Sequence, residues 1–158
     1  MKYLIMTGFV FLTAAFSVYA QTPALTVYFE MKEALVNADA VSASGKAGEF
    51  AKYINGFDIK TIPADKQADF IGIRKKLVLD AGKIAATRDL DKQREDFASL
   101  SLNFYSLVKL VKLSSQPIYQ DYCPMKGMYW LSDVENIRNP YYGRMMLTCG
   151  SVTETINP

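Results

Sequence analysis

The sequence predicts an all-α protein: a four-helix antiparallel bundle over residues 21–113, closed by an aromatic-rich, mostly irregular cap over residues 114–158 that holds short extended pieces. Four successive stretches repeat apolar residues at three- and four-residue steps, and short breaks separate them, which is the pattern of helices packed on their neighbours. From Pro117 onward proline, tyrosine and turn residues replace that stripe, so the chain there is too turn-rich for a fifth long helix.

Residues 1–20 read as a signal peptide. Lys2 supplies the positive start, Leu4 to Phe16 form the apolar run, and Val18, Tyr19 and Ala20 lead to a cut between Ala20 and Gln21. The run is shorter than the roughly 20 apolar residues that a bilayer requires. No membrane span is therefore expected after cleavage, and no cysteine stands at the cut to accept a lipid. The expected location is the periplasm or the medium. The remaining residues 21–158 form one domain.

The first helix starts at Thr22 and Pro23, a cap followed by a proline whose missing N–H costs nothing there. Val27, Met31, Ala34 and Leu35 make its stripe, which places Met31 in the core. Asp39 to Asn55 forms the second helix, with Ala43, Ala47, Phe50, Ala51 and Ile54 on one face and Gly56 as the stop. Ala64 to Ala86 forms the third, after Pro63, with Phe70, Ile73, Leu77 and Ile84 aligned. The fourth begins near Asp89, and Leu90, Phe97, Leu100, Phe104, Leu107, Val108 and Val111 give it the most regular stripe of the chain. In the cap, Ile118 to Tyr122 and Met128 to Leu131 are candidate extended pieces, and Ser132 with Glu135 is spaced as a capping box.

Composition excludes several functions. With Lys2 removed, 17 basic residues face 16 acidic ones, so there is no electrostatic case for nucleic acid. The run Arg74, Lys75, Lys76 is a solvated helix face. The chain has no histidine, which removes Ser-His-Asp and Cys-His catalysis and histidine metal ligands, and it has no CxxC pair or glycine-rich phosphate loop. No enzyme is expected. Asp121, two residues before Cys123, is placed to act as a base, but an exposed carboxylate beside a strand is the commoner explanation of such a residue.

Sulfur is the distinctive feature. Four of the seven methionines and both cysteines fall within residues 123–149: Cys123, Met125, Met128, Met145, Met146 and Cys149. A sulfur-only donor set suits copper(I) or silver(I) rather than zinc or iron. If the chain is extended after Tyr122, Cys123 and Met125 share a side. If it turns helically before Cys149, then Met146 and, one residue further back, Met145 share its face. Two cysteines in an exported chain also suggest a structural disulfide, Cys123–Cys149. Closing its 25 intervening residues would stabilise the fold by roughly 3–4 kcal/mol. The metal and the staple both stay open, as does a third role in which Tyr129, Trp130, Tyr141 and Tyr142 form an interaction surface for another protein. The rings can equally seal the cap onto the helices.

Four motifs in order carry a family resemblance: YCPM at Tyr122 to Met125, KGMYWLS at Lys126 to Ser132, IRNPYYG at Ile137 to Gly143 and MLTCG at Met146 to Gly150. They resemble the C-terminal signature of an exported bacterial family catalogued as a domain of unknown function. The helical segments at Asn37 to Ser44 and Arg88 to Ser101 are similar too. Members of that family occur alone and fused to periplasmic adaptor subunits of heavy-metal efflux pumps. The resemblance implies a copper(I) or silver(I) role beside such an adaptor or another metal-handling protein. It implies Cys123, Met125, Met146 and Cys149 as the sulfur positions, with Met128 and Met145 as further candidates.

Overall fold

The computed structural model describes residues 22–158, so the signal-peptide reading of residues 1–20 lies outside the described residues. Four helices follow in order: α1 Pro23–Val36, α2 Ala40–Asn55, α3 Gln67–Ala86 and α4 Leu90–Leu110. Their starts are chemically marked. Pro23 opens α1, the Asp39 carboxylate accepts the Ser42 amide at 2.9 Å, and the Asp89 carboxylate accepts the amides of Asp91 and Lys92. Each such cap satisfies N–H groups that the first helical turn leaves free. One departure is small: the segment from Ala64 begins as a 3-10 turn, Ala64–Lys66, before α3 takes over.

Each helix packs chiefly on its sequence neighbours. Ala43 and Ala47 of α2 are fully buried, which allows the close approach their size permits. Tyr28 of α1 joins Phe50, Phe97 and Phe104 in an aromatic cluster, with centroids 4.8 Å from Phe104 and 5.2 Å from Phe97. Asp80, also buried, accepts from Ser99 and Asn103 and so ties α3 to α4.

The all-α expectation is overturned by the cap. Residues Ile118–Cys123 (β1), Met128–Ser132 (β2) and Ser151–Ile156 (β3) form a three-stranded antiparallel sheet in the order β2-β1-β3, so the fold combines a helical bundle with a sheet. Outside these strands the cap is turn and irregular chain, as its composition predicts. The two expected extended pieces are β1 and β2, and the missing partner is β3, whose alternating SVTETI follows the last cysteine. An isolated two-stranded hairpin is marginal in water, and a third strand with one buried face supplies what it lacks. Registers place Cys123 opposite Met128 and Tyr122 opposite both Tyr129 and Ser151. An irregularity between Gln120 and Asp121 against β3 shifts the alternation, so Ile118, Asp121 and Cys123 are the buried residues of β1.

The sheet lies against α1 and α4. The Leu131 amide donates to the Tyr28 hydroxyl at 3.0 Å, and that hydroxyl is hydrogen-bonded to Ser101 of α4 at 2.7 Å. Burial holds the Tyr28 phenol well above its ordinary pKa, so it stays a neutral donor and acceptor. At the far strand, Glu154 of β3 accepts from Tyr105 and pairs with Lys109, both on α4. Tyr28→Phe strands the Leu131 amide and Ser101. The expected loss is about 1–3 kcal/mol, read as a lower urea midpoint at unchanged slope; an unchanged midpoint would show that this hydroxyl does not dock the sheet.

Candidate functional site

The sulfur-bearing stretch is built from a hairpin and a loop that meet at one end of the sheet. In the hairpin the chain turns through residues 124–127. The Gly127 amide closes the turn on the Cys123 carbonyl at 2.8 Å, and Gly127 takes a left-handed φ of 65° that favours glycine. Met125 therefore sits in a turn rather than an extended segment, and the same-side argument for Cys123 and Met125 does not apply. Its side chain is 64% exposed. Met128, directly opposite Cys123 in the ladder and half-buried, is the methionine that register brings beside the cysteine.

The loop, residues 137–150, is organised by one buried side chain. Asn139 accepts the amides of Tyr141 and Tyr142 on its carbonyl oxygen and donates through Nδ2 to the Cys149 carbonyl at 2.6 Å. Its own amide donates to the Leu147 carbonyl at 2.8 Å, and its carbonyl accepts the Gly143 amide at 3.0 Å. Arg138 grips Glu33 of α1 bidentately, and Arg94 of α4 donates to the Pro140 carbonyl at 2.8 Å. Two glycines are sterically required. A Cβ on Gly143 would stand 2.8 Å from the Val36 carbonyl oxygen, and one on Gly150 would stand 2.9 Å from the Trp130 ring. The IRNPYYG and MLTCG motifs are thus the parts that hold Cys149 in place.

These constraints bring the Cys123 and Cys149 sulfurs to 3.9 Å, as free thiols. Cys123 is fully buried, and Cys149 is partly exposed. The Cys149 amide donates to the Met146 carbonyl at 3.1 Å, so the chain does turn between them, although Met146 (38% exposed) and Met145 (78%) face solvent to a large degree. Desolvation, then the neighbouring Cys123, pushes the Cys149 thiol above its ordinary pKa, and the Met125 amide pulls the other way. Among the described residues no three His, Cys, Asp or Glu side chains gather as a metal site. A metal at this pair would have to draw its further ligands from methionine.

Of the four aromatic surface candidates, Trp130 and Tyr141 are buried, and their rings meet edge to face at 5.9 Å. They seal the seam and present no surface, because an indole or phenol body is too large an apolar area to leave wet when a helix face is at hand. Tyr129 and Tyr142 remain half-exposed, Tyr129 tilted against Tyr122 with centroids 4.6 Å apart and Tyr142 under the Lys126 ammonium at 5.3 Å.

Beneath the sheet lies a polar cluster that the sequence reading missed. Asp121 is fully buried rather than exposed, opposite Trp130 in the ladder. Lys32 of α1 is buried as well; it donates to Ser132 at 3.2 Å and pairs with Glu33 at 3.2 Å. Among the described residues neither Asp121 oxygen, nor Trp130 Nε1, has a hydrogen-bond partner. Burial pushes the Asp121 carboxyl up to about 7, against the Lys32 charge, which pulls it down. One signal was available: an aspartate inside the strand run IYQDYC is a residue that strands avoid.

Comparison with known proteins finds a match over the helical half. The family described as a protein of unknown function, DUF3347, matches residues 24–116, and the chain belongs to it. The matched part spans the bundle and stops before β1, so the sulfur pair lies outside it. No curated protein matches the chain, and no solved structure does.

Asp121 makes stability depend on pH. Unfolded, it ionises near 3.8; folded, it keeps its proton to about 7. The folded state therefore binds the extra proton between those values, and this contribution falls as pH rises through that window. Asp121→Asn should gain on the wild type from about pH 4 to 7 and hold the gain above. Parallel urea-stability curves for the two proteins across that range would overturn the assignment.

Proposed function

We propose that the exported protein binds one soft monovalent ion, copper(I) or silver(I), through Cys123 and Cys149, and serves heavy-metal handling in the periplasm or outside the cell. The role is binding, not catalysis. The observation that carries it is the 3.9 Å approach of the two sulfurs in a chain with no histidine. Thiolates on one ion at about 2.3 Å each lie no more than about 4.6 Å apart, so the pair fits without opening the loop. Soft sulfur donors select such ions over hard ones. Thioethers come from Met125 and Met146, with Met128 and Met145 as further donors. Exposed methionines on both sides of the pair support this, since burial in the core is what a purely packing role would favour.

The likeness of the cap motifs to exported proteins fused to efflux adaptors supports a partner of that kind. The efflux adaptor or another metal-handling protein would receive or deliver the ion. A second reading rests on the same distance: oxidised, the pair staples the loop to the hairpin, and the protein is a non-metal interaction module presenting Tyr129 and Tyr142.

Binding releases protons, and the raised Cys149 thiol makes that release harder at neutral pH, so affinity should rise with pH. The test is copper(I) titration of reduced protein against a competing chelator. Wild type should take one equivalent, a Cys123→Ser, Cys149→Ser double variant should lose tight binding, and Met125→Leu with Met146→Leu should weaken it less than loss of either thiolate. Equal affinities for wild type and the double variant would leave the staple as the explanation.

A further inference from the structure

We propose that the Cys123–Cys149 pair exchanges with an external dithiol through Cys149 alone, with Cys123 as the internal resolving sulfur. The inference uses the sulfur pair of the metal reading but stands on its accessibility, not on any ion.

The two sulfurs are placed unequally. Cys123 is wholly buried on the central strand, between β2 and β3, with the buried Tyr141 close by. Cys149 stands at the rim, partly open to solvent, on a loop whose backbone is fixed. Its carbonyl is held by Asn139, its amide by the Met146 carbonyl, and the next residue, Gly150, is wedged against Trp130 and the Tyr122 carbonyl. The first two contacts fix Cys149 within the loop, and lifting the loop to expose Cys123 would break the third, against Trp130 and the Tyr122 carbonyl. The sulfurs, in contrast, already stand at 3.9 Å, against the roughly 2 Å of a disulfide.

Exchange requires a thiolate to reach one sulfur of the disulfide, so access decides which sulfur is attacked. One thiolate of the external dithiol bonds to Cys149 Sγ, the Cys123–Cys149 bond breaks, and Cys123 leaves with the electron pair and takes up a proton. The second external thiolate then attacks its own partner sulfur in the mixed disulfide, and Cys149 leaves and is protonated. The external dithiol loses two electrons and two protons, and the cysteine pair gains them. Run backwards, an external disulfide oxidises the pair by the same route, with Cys149 as the first nucleophile.

The test treats air-oxidised wild-type protein with glutathione, quenches by alkylation and maps the peptides by mass. Glutathione should sit on Cys149 and the alkyl group on Cys123, by about tenfold or more over the reverse. In parallel, folded Cys123→Ser should react with an aromatic disulfide reagent about tenfold or more faster than folded Cys149→Ser, and the two should react equally in urea. Labelling of Cys123, equal labelling of both, or failure of the wild type to form the disulfide would each overturn the proposal. A failed copper titration beside asymmetric labelling would remove the metal reading and leave this one standing.

Discussion

A strand at the edge of a sheet cannot be buried unless its free backbone groups find partners, and β2 is both an edge and buried. Two tyrosine hydroxyls provide those partners. Tyr28 accepts the Leu131 amide, and Tyr141 donates to the Tyr129 carbonyl two residues along. Each unmet group would cost about 1–3 kcal/mol, comparable to a large share of a small domain's stability. Tyr28 belongs to α1 and Tyr141 to the loop that carries Cys149, with Ser101 of α4 within reach of both hydroxyls. One requirement at one edge thus joins the bundle, the sheet and the sulfur loop.

The position of the sulfur pair follows from that docking. With β2 set against the helices, β1 lies beside it and carries Cys123 to the inner face. Trp130 then presents the surface against which Gly150 fits, and Asn139 gathers the chain so that Cys149 meets Cys123. The motifs around the pair are mostly scaffold: arginine to glutamate, asparagine to backbone, glycine to ring. Only the sulfurs are left without a structural duty of this kind, which is why their chemistry carries the functional proposal.

The same docking puts charge under the sheet. Lys32 and Asp121 are both buried, and Lys32 is answered by Ser132 and Glu33 while Asp121 has no hydrogen-bond partner among the described residues. A buried carboxylate in that position lowers its cost by holding its proton up to about pH 7. The hydrophobic core of the bundle therefore grades into a polar layer before it reaches the sulfur-bearing rim.

By itself the sequence determined what is local. Helical periodicity, the caps at Asp39 and Asp89, Pro23 at the first turn and short breaks between stripes set four helices in order, because these signals act over three or four residues. The absence of histidine and the crowding of sulfur into residues 123–149 limited the donor chemistry in the same direct way. Tertiary structure alone decided the rest. Strand pairing is non-local, so SVTETI became a strand only because β1 offered it an edge, and the all-α expectation failed there. The sealing role of Trp130 and Tyr141 is one of two readings the sequence leaves open, and Asp121 shows only the weak signal of an aspartate in a strand run; a helix face covering them decides both. Both sequence readings of Cys123 and Cys149, staple or shared ion, require the two to meet; what the tertiary structure adds is how, through Asn139, Gly143 and Gly150 bending the intervening chain.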